Sequence, residues 1–156
     1  MDEKKLEFRK ATIKDLSKIV EMIADDALGK TREIFQIPLP EDYLTAFDRI
    51  DSDVNQELMI LENEEGDILG TFQLTFIPYL TYQGSTRAQI EAVRVHKDHR
   101  GKGVGKNMFL WAIERSKERG ARLLQLTTDK QRPEAIKFYE SLGFKASHEG
   151  MKFHFI

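Results

Sequence analysis

From Lys5 to Ala11 the chain has the alternating character of a strand, and then the period lengthens. Leu16, Ile19, Val20, Ile23, Ala24 and Ala27 recur at steps of three and four, which lines one face of a helix. Thr12 suits its N-cap and Gly29 its end. Pro38 and Pro40 break the next stretch, after which Glu41 to Asp51 carries Tyr43, Leu44, Phe47 and Ile50 as a shorter helix. Leu58 to Leu61, the turn Glu64-Glu65-Gly66-Asp67 and Ile68 to Ile77 predict a hairpin. Gly84 lies in a loop before a third strand, Arg87 to Val95.

The second half is spaced differently. Lys106 to Arg119 reads as a helix with Met108, Trp111 and Ala112 on one face, and Gly120 fits its C′ position. Leu123 to Thr127 follows as a strand. Pro133 opens a helix that Gly143 closes, and two short strands, Phe144 to His148 and Met151 to Phe155, end the sequence. No repeat, low-complexity tract or linker interrupts the series. The expectation is one α/β (α+β) domain over residues 1–156. It has a mixed central sheet of about seven strands and about four helices on both faces.

Chemistry concentrates between strand and helix, where Arg100-Gly101-Lys102-Gly103-Val104-Gly105 leads into Lys106. Glycines let the backbone turn tightly and let an anion approach N–H groups that a Cβ would shield. The helix that follows leaves its first N–H groups unpaired and places its positive dipole end at the same spot. The spacing rules out two phosphate loops. A Walker A loop needs Gly-x-x-x-x-Gly-Lys-Ser/Thr, and Gly101 to Gly105 is one residue short with Asn107 after Lys106. The dinucleotide fingerprint Gly-x-Gly-x-x-Gly fails because Gly105 comes one position early from Gly101, and Met108 fills the slot counted from Gly103.

The pattern Gln/Arg-x-x-Gly-x-Gly/Ala does fit, through Arg100, Gly103 and Gly105. It resembles the coenzyme A pyrophosphate loop of the GNAT superfamily of N-acetyltransferases. Downstream, Ala135-Ile136-Lys137-Phe138-Tyr139-Glu140-Ser141-Leu142-Gly143-Phe144 is similar to that superfamily's Ala-x-x-Phe-Tyr-x-x-x-Gly-Phe segment. The resemblance covers residues 57 to 145, and the N-terminal part through its order of elements. It implies a GNAT-like fold, acetyl-CoA as cosubstrate, and acetyl transfer to a primary amine.

Composition narrows the setting. The absence of cysteine removes disulfides, thiolate metal sites and a cysteinyl acyl-enzyme, so transfer is expected by direct attack in a ternary complex. A net charge of −2 gives no general attraction to nucleic acid, yet Arg94, Lys97, Arg100, Lys102 and Lys106 face only Asp98 between positions 94 and 106. That local cationic patch suits a phosphorylated ligand. No apolar run reaches a membrane span, and Met1-Asp2-Glu3-Lys4-Lys5 lacks the apolar stretch of a signal peptide, so a cytoplasmic protein is expected. His96-x-x-His99 has neither a cysteine companion nor a His-Glu-x-x-His helix, and no metal is expected.

Thioester aminolysis needs an anion clamp, a polarised carbonyl, a neutral amine and a proton donor for the departing thiolate. The clamp is the backbone of Gly101, Lys102, Gly103, Val104, Gly105 and Lys106, with Lys102, Lys106 or Arg100 adding charge. The resemblance implies that backbone groups of Val93 and Val95 bind the pantetheine arm, and that an N–H near Ala92 and Val93 polarises the carbonyl. Both valines equally suit a core position. Glu91, on the strand face of Val93 and Val95 by simple alternation, is the candidate base, or else a solvated or ion-paired acid. An alkylamine, with a reference pKa near about 10.4, must lose a proton before attack.

Tyr139 holds the family position of the acid that protonates the thiolate, and otherwise reads as an amphipathic core tyrosine. Arg132 stands where many superfamily members have asparagine, and its guanidinium suits a phosphate or a substrate carboxylate. The resemblance places the acceptor among the first two helices, the loop before Arg87 and the terminal strands. Phe35, Tyr43, Phe76, Tyr79 and Tyr82 offer aromatic surface there, with Glu41, Asp42, Arg94 and His154 as polar complements. A small-molecule amine is the expected partner, with neither nucleic acid nor membrane, and exposed strand edges near the C-terminus suit a homodimer. The alternative is a non-catalytic acyl-CoA-binding regulatory domain.

Overall fold

Period-two and period-3.6 segments alternate along the chain, and the computed structural model shows how they pack. It describes residues 5–156; the expectation about a signal peptide falls largely on residues 1–4, outside the described residues. The chain divides into two compact units, Met1–Gln125 and Leu126–Ile156.

In the first unit the strands are β1 (Glu7–Lys10), β2 (Gln56–Glu62), β3 (Ile68–Pro78), β4 (Thr86–Val95) and β5 (Ala121–Gln125). They form one sheet in the order β1-β2-β3-β4-β5, antiparallel except for the parallel β4–β5 pair. Its helices are α1 (Leu16–Ala24), α2 (Gly29–Arg32), α3 (Glu41–Asp51), α4 (Thr81–Gly84) and α5 (Val104–Glu118). The second unit contains α6 (Pro133–Ser141).

Directly opposed residues of neighbouring strands share a face, so the register sorts the sheet into two sides. Phe8, Leu61 and Gly70 lie on one, with Met59, Phe72 and Leu74. That side receives α5. Trp111 stacks on Phe8 with centroids 5.1 Å apart and meets Phe72 edge-on at 5.8 Å. A Cβ on Gly70 would come within 2.5 Å of the Met108 sulfur, so the missing side chain is what lets α5 settle against β3. The other side carries Ile60, which clusters with Ala11, Leu16, Ile19, Val20 and Phe47 under α1 and α3. Helices thus cover both faces of the sheet, as the alternation predicts.

Two ion clusters tie elements distant in sequence. Arg9 grips Asp15 through two hydrogen bonds of 2.7 and 3.0 Å and reaches Glu62 at 2.9 Å, joining β1, the turn before α1 and β2. That Arg9 contact, helped by the Thr12 N–H, holds the Asp15 carboxyl below the ordinary carboxylate range. Glu57, 3% exposed, receives Arg115 and Arg119 from α5 at 2.6 and 2.7 Å. Burial opposes its ionisation, but the two guanidinium groups outweigh burial and its pKa is lowered.

Several expectations need correction. The described residues form five strands, not about seven, and six helices, not about four. Residues 144–148 and 151–155 are not strands, because no neighbouring strand pairs with them among the described residues. The first helix ends at Ala24, and Gly29 starts α2 instead of terminating it. There the Cβ of any other residue would stand 2.1 Å from the Ile23 carbonyl oxygen, so Gly29 serves close packing. Gly84 belongs to α4, a single turn in which Tyr82 and Gln83 take left-handed angles, φ 52° and 61°.

Candidate active site

β4 carries the residues with the most chemistry, and its geometry departs from simple alternation at one point. Glu91 opposes Gln73, whereas Arg94 opposes Thr71 and Val95 opposes Gly70. Two residues of β4 therefore face the single position of Phe72, which is a β-bulge. The bulge is centred on Ala92, a non-glycine residue at φ 52°. The expectation that Glu91 shares a face with Val95 is overturned by the inserted residue. Glu91 and Arg94 lie on the side of α1 and α3, and Val95 lies on the side of α5.

On the α1 side a polar row crosses the sheet. Gln56, Thr75, Gln89 and Gln125 are successive register partners on β2, β3, β4 and β5. Gln125 donates from Nε2 to Gln89 Oε1 at 2.8 Å, and Gln89 donates from its own Nε2 to Glu91 Oε1 at 2.5 Å. Gln73 and Thr75 both donate to Gln56 Oε1 at 2.8 Å. Glu91 is exposed, so its carboxylate is held from one side and open on another. Gln89 was not a sequence candidate. Its signal was available, since residues 89 and 91 share a strand face.

Next to this row the sheet opens. β4 pairs with β5 only from Thr86↔Ala121 to Gln89↔Gln125. Beyond Gln89, no strand pairs with β4 on that side among the described residues. The carbonyl of Val93 accepts from Arg94 at 2.8 Å, and that of Val95 accepts from Arg100 Nε at 3.2 Å.

After β4, His96 caps a 3-10 turn by accepting the Asp98 N–H at Nδ1, and the glycine loop follows. Gly101 and Gly103 both sit at positive φ, 74° and 80°, and nothing lies within 4 Å of where either Cβ would be. Only glycine adopts these angles at little cost, and here it also leaves the backbone uncovered. Gly103 is the N-cap of α5, and its carbonyl accepts from Asn107. The N–H groups of Val104, Gly105 and Lys106, in the first turn, have no intrahelical acceptor. Lys102 folds back to donate to the Asp98 carbonyl at 2.8 Å.

Arg100, expected at the clamp, has its side chain against the end of α1. Its terminal nitrogen donates to the Asp25 carbonyl at 3.1 Å and lies 3.6 Å from the Asp25 carboxylate. Nearby, Arg94 pairs with Asp26 at 2.9 Å. Met22, Asp25, Phe35, Val95, His96 and Arg100 are among the residues lining a cavity of about 260 Å³. Of the aromatic residues expected at the acceptor site, Phe35 lines this cavity. Phe76 is core, under Arg119. Tyr79 and Tyr82 bracket Arg87 at 4.4 and 5.6 Å, and Tyr43 is hydrogen-bonded to Glu33.

Tyr139 and Arg132 belong to the second unit. Tyr139 lies on α6, half-buried, with its ring edge-on to Phe138 and Phe144. Its carbonyl accepts the N–H groups of Leu142 and Phe144, which closes the helix before Gly143 at φ 96°. Arg132 is the N-cap, ahead of Pro133 in the first turn.

Known proteins resemble this chain in sequence and in fold. Residues 24–144 match the Acetyltransferase (GNAT) family. The chain is 27% identical over 99 residues to an aminoalkylphosphonate N-acetyltransferase of Salmonella typhimurium, covering 64% of this chain and 62% of that one. It is 32% identical over 87 residues to a glucosamine 6-phosphate N-acetyltransferase of Trypanosoma brucei brucei, covering 56% and 57%. These matches span less than two thirds of either relative's length. Among solved structures, a transcriptional regulator from Bacillus halodurans C-125 superposes with a TM-score of 0.92 at 57% identity, covering 97% of this chain and 100% of that one. The bulged strand, the glycine turn ahead of α5 and the match over residues 24–144 have one reading: the chain belongs to the GNAT family of acetyltransferases.

Proposed function

We propose that this protein is an acetyl-CoA-dependent N-acetyltransferase that modifies the primary amine of a small molecule by direct attack in a ternary complex. The observation that carries the reading is the left-handed turn at Gly101 and Gly103, which leaves backbone uncovered at the N-terminus of a helix of fifteen residues. Such a turn fits a diphosphate, because it joins unpaired N–H groups, the positive end of the helix dipole and the absence of any Cβ in the approach. The residues that would hold the carrier are Gly101 to Lys106 through backbone, Lys102 and Lys106 through charge, Val93 and Val95 along β4, and Arg132. Acetyl-CoA, when bound, supplies the activated thioester.

The remaining roles belong to the chain. Glu91, held by Gln89, takes the proton that the amine must lose, directly or through a water. The backbone freed from the ladder at the Ala92 bulge donates to the thioester oxygen, where negative charge grows as the C–N bond forms. The C–S bond then breaks, and Tyr139 gives its phenolic proton to the departing sulfur. A single domain over residues 1–156 is proposed, in line with the family match from residue 24 to 144.

The two named relatives act on amines that carry a phosphonate or a phosphate. The basic stretch from Arg94 to Lys106 supports an anionic acceptor of the same kind. Among the described residues no helix is long and apolar enough to cross a membrane, and action in the cytoplasm is proposed. The test is thiol release from acetyl-CoA across a panel of aminoalkylphosphonates, amino sugar phosphates, amino acids and polyamines. Amine-dependent release supports the enzyme, and tight acetyl-CoA binding with no release for any amine overturns it. The latter outcome supports a regulator, a second reading favoured by the name of the Bacillus halodurans neighbour.

A further inference from the structure

A second basic cluster lies on the same strand as Glu91, away from the glycine loop. Pairing between β3 and β4 runs without interruption from Ile77↔Arg87 to Gln73↔Glu91, so Arg87, Gln89 and Glu91 share one face of the sheet. Beside Arg87 the β5 ladder steps from Thr86↔Ala121 to Arg87↔Leu123, which leaves Arg122 as an inserted residue. The guanidinium groups of Arg122 and Arg87 converge on one ring, with their carbons 4.7 and 5.6 Å from the centroid of Tyr82. Tyr79 stacks on Arg87 from closer range, at 4.4 Å. Tyr82 reaches both arginines from a turn in which it and Gln83 hold left-handed angles, a conformation that costs energy in residues other than glycine.

Two cations are thus gathered without an anion. Arg9, Arg94, Arg115 and Arg119 each pair with a carboxylate. The side chains of Arg87 and Arg122 form neither an ion pair nor a hydrogen bond among the described residues, and the Arg87 Nε is buried without an acceptor. Aromatic faces attract a guanidinium but leave its in-plane N–H groups unanswered. Donors of this kind suit a planar or tetrahedral anion.

We infer that Arg87 and Arg122 form a site for an anionic group, a phosphonate, phosphate or carboxylate, carried by the acceptor at the end remote from its amine. The inference rests on the reading of Glu91 as the base and deepens it. Arg87 stands four residues before Glu91 on the strand, about 13 Å away between Cα atoms. An acceptor lying along β4 with its amine at Glu91 meets the guanidinium pair only if amine and anion stand roughly 10 Å apart, beyond the reach of an aminoethyl group. The chemistry selected is an extended amine with an anionic far end.

Calorimetric titration with coenzyme A present tests this on the full chain, using aminoethyl-, aminohexyl- and aminooctylphosphonate, each against the amino alcohol of the same length. The wild type should prefer the long phosphonates over their alcohols by about tenfold or more and show no such preference for the aminoethyl pair. Arg87→Met should abolish the preference, and so should Arg122→Met, an exposed position whose change leaves the packing intact. Arg49→Met removes the same charge from the exposed side of α3 and should retain it. Equal affinity for long phosphonate and alcohol in the wild type overturns the inference, as does a preference that survives both cluster substitutions or is lost equally in Arg49→Met. Inorganic phosphate that binds through Arg87 as tightly as aminooctylphosphonate assigns the cluster to a free anion and also overturns it. Thiol release separates this site from the catalytic reading. A wild type that binds the long phosphonates through Arg87 but acetylates no amine refutes the transferase and keeps the anion site, whereas one that acetylates amines without any phosphonate preference does the reverse.

Discussion

Gln89 holds Glu91: the side-chain amide of the first donates to the carboxylate of the second at 2.5 Å, two residues along β4. Gln125 fixes which end of Gln89 is the donor, because its own amide donates to Gln89 Oε1 at 2.8 Å. A carboxylate oriented this way keeps its second oxygen for an amine or a water. Removing the carboxylate by Glu91→Gln is expected to lower kcat about 100-fold. Gln89→Leu keeps the acid and removes its support, so kcat should fall about tenfold with KM for acetyl-CoA unchanged. Gln89→Glu, which cannot orient the carboxylate in the same way, should not restore activity. Wild-type kinetics in Gln89→Leu would remove Gln89 from the mechanism.

At Gly103 the φ of 80° and the empty space around the missing Cβ separate two effects. Gly103→Ala meets no neighbour and is strained only by its backbone angle, so unfolding should show a loss of about 1 kcal/mol. Gly103→Glu adds a side chain and a negative charge where the diphosphate is proposed to lie. Calorimetry should then detect no acetyl-CoA binding in a protein that still folds. Unchanged affinity in that variant refutes the cradle.

Tyr139→Phe removes a single oxygen from α6 and leaves the ring contacts with Phe138 and Phe144 intact. If the phenol delivers the proton to sulfur, kcat falls by a factor of roughly 10 to 100 while acetyl-CoA affinity stays within about twofold. Stopped-flow detection of the thiol distinguishes this from slow product release. Equal rates for both proteins would leave Tyr139 a packing residue.

Glu57 should govern part of the acid sensitivity of the fold. Its folded pKa is lowered, so the stability it contributes is present above the unfolded value of about 4.3 and is lost as pH falls toward the folded one. Glu57→Gln leaves Arg115 and Arg119 without their shared anion and should cost about 3 kcal/mol at neutral pH. In urea titrations the gap from wild type should narrow below about pH 4. A gap that stays constant with pH would show that charge is not what Glu57 contributes. Asp15, lowered chiefly by Arg9, follows the same sign.

Whatever depends on neighbours a few residues apart was legible in the sequence. The spacing of Arg100, Gly103 and Gly105, the Phe138-Tyr139 pair, the limits of α3 and the hairpin of β2 and β3 all follow from local periodicity and turn chemistry. The register was decided elsewhere. Ala92 carries no glycine to announce a bulge, and only pairing with β3 forces it to φ 52° and sends Glu91 and Val95 to opposite faces. The Gln125–Gln89 bond and the Arg94–Asp26 pair likewise join strands and loops that no sequence window spans. The tail from Met151 has the alternation of a strand, but alternation selects a conformation and not a partner. A strand exists only when another backbone answers its hydrogen bonds, and tertiary structure alone decides whether one does.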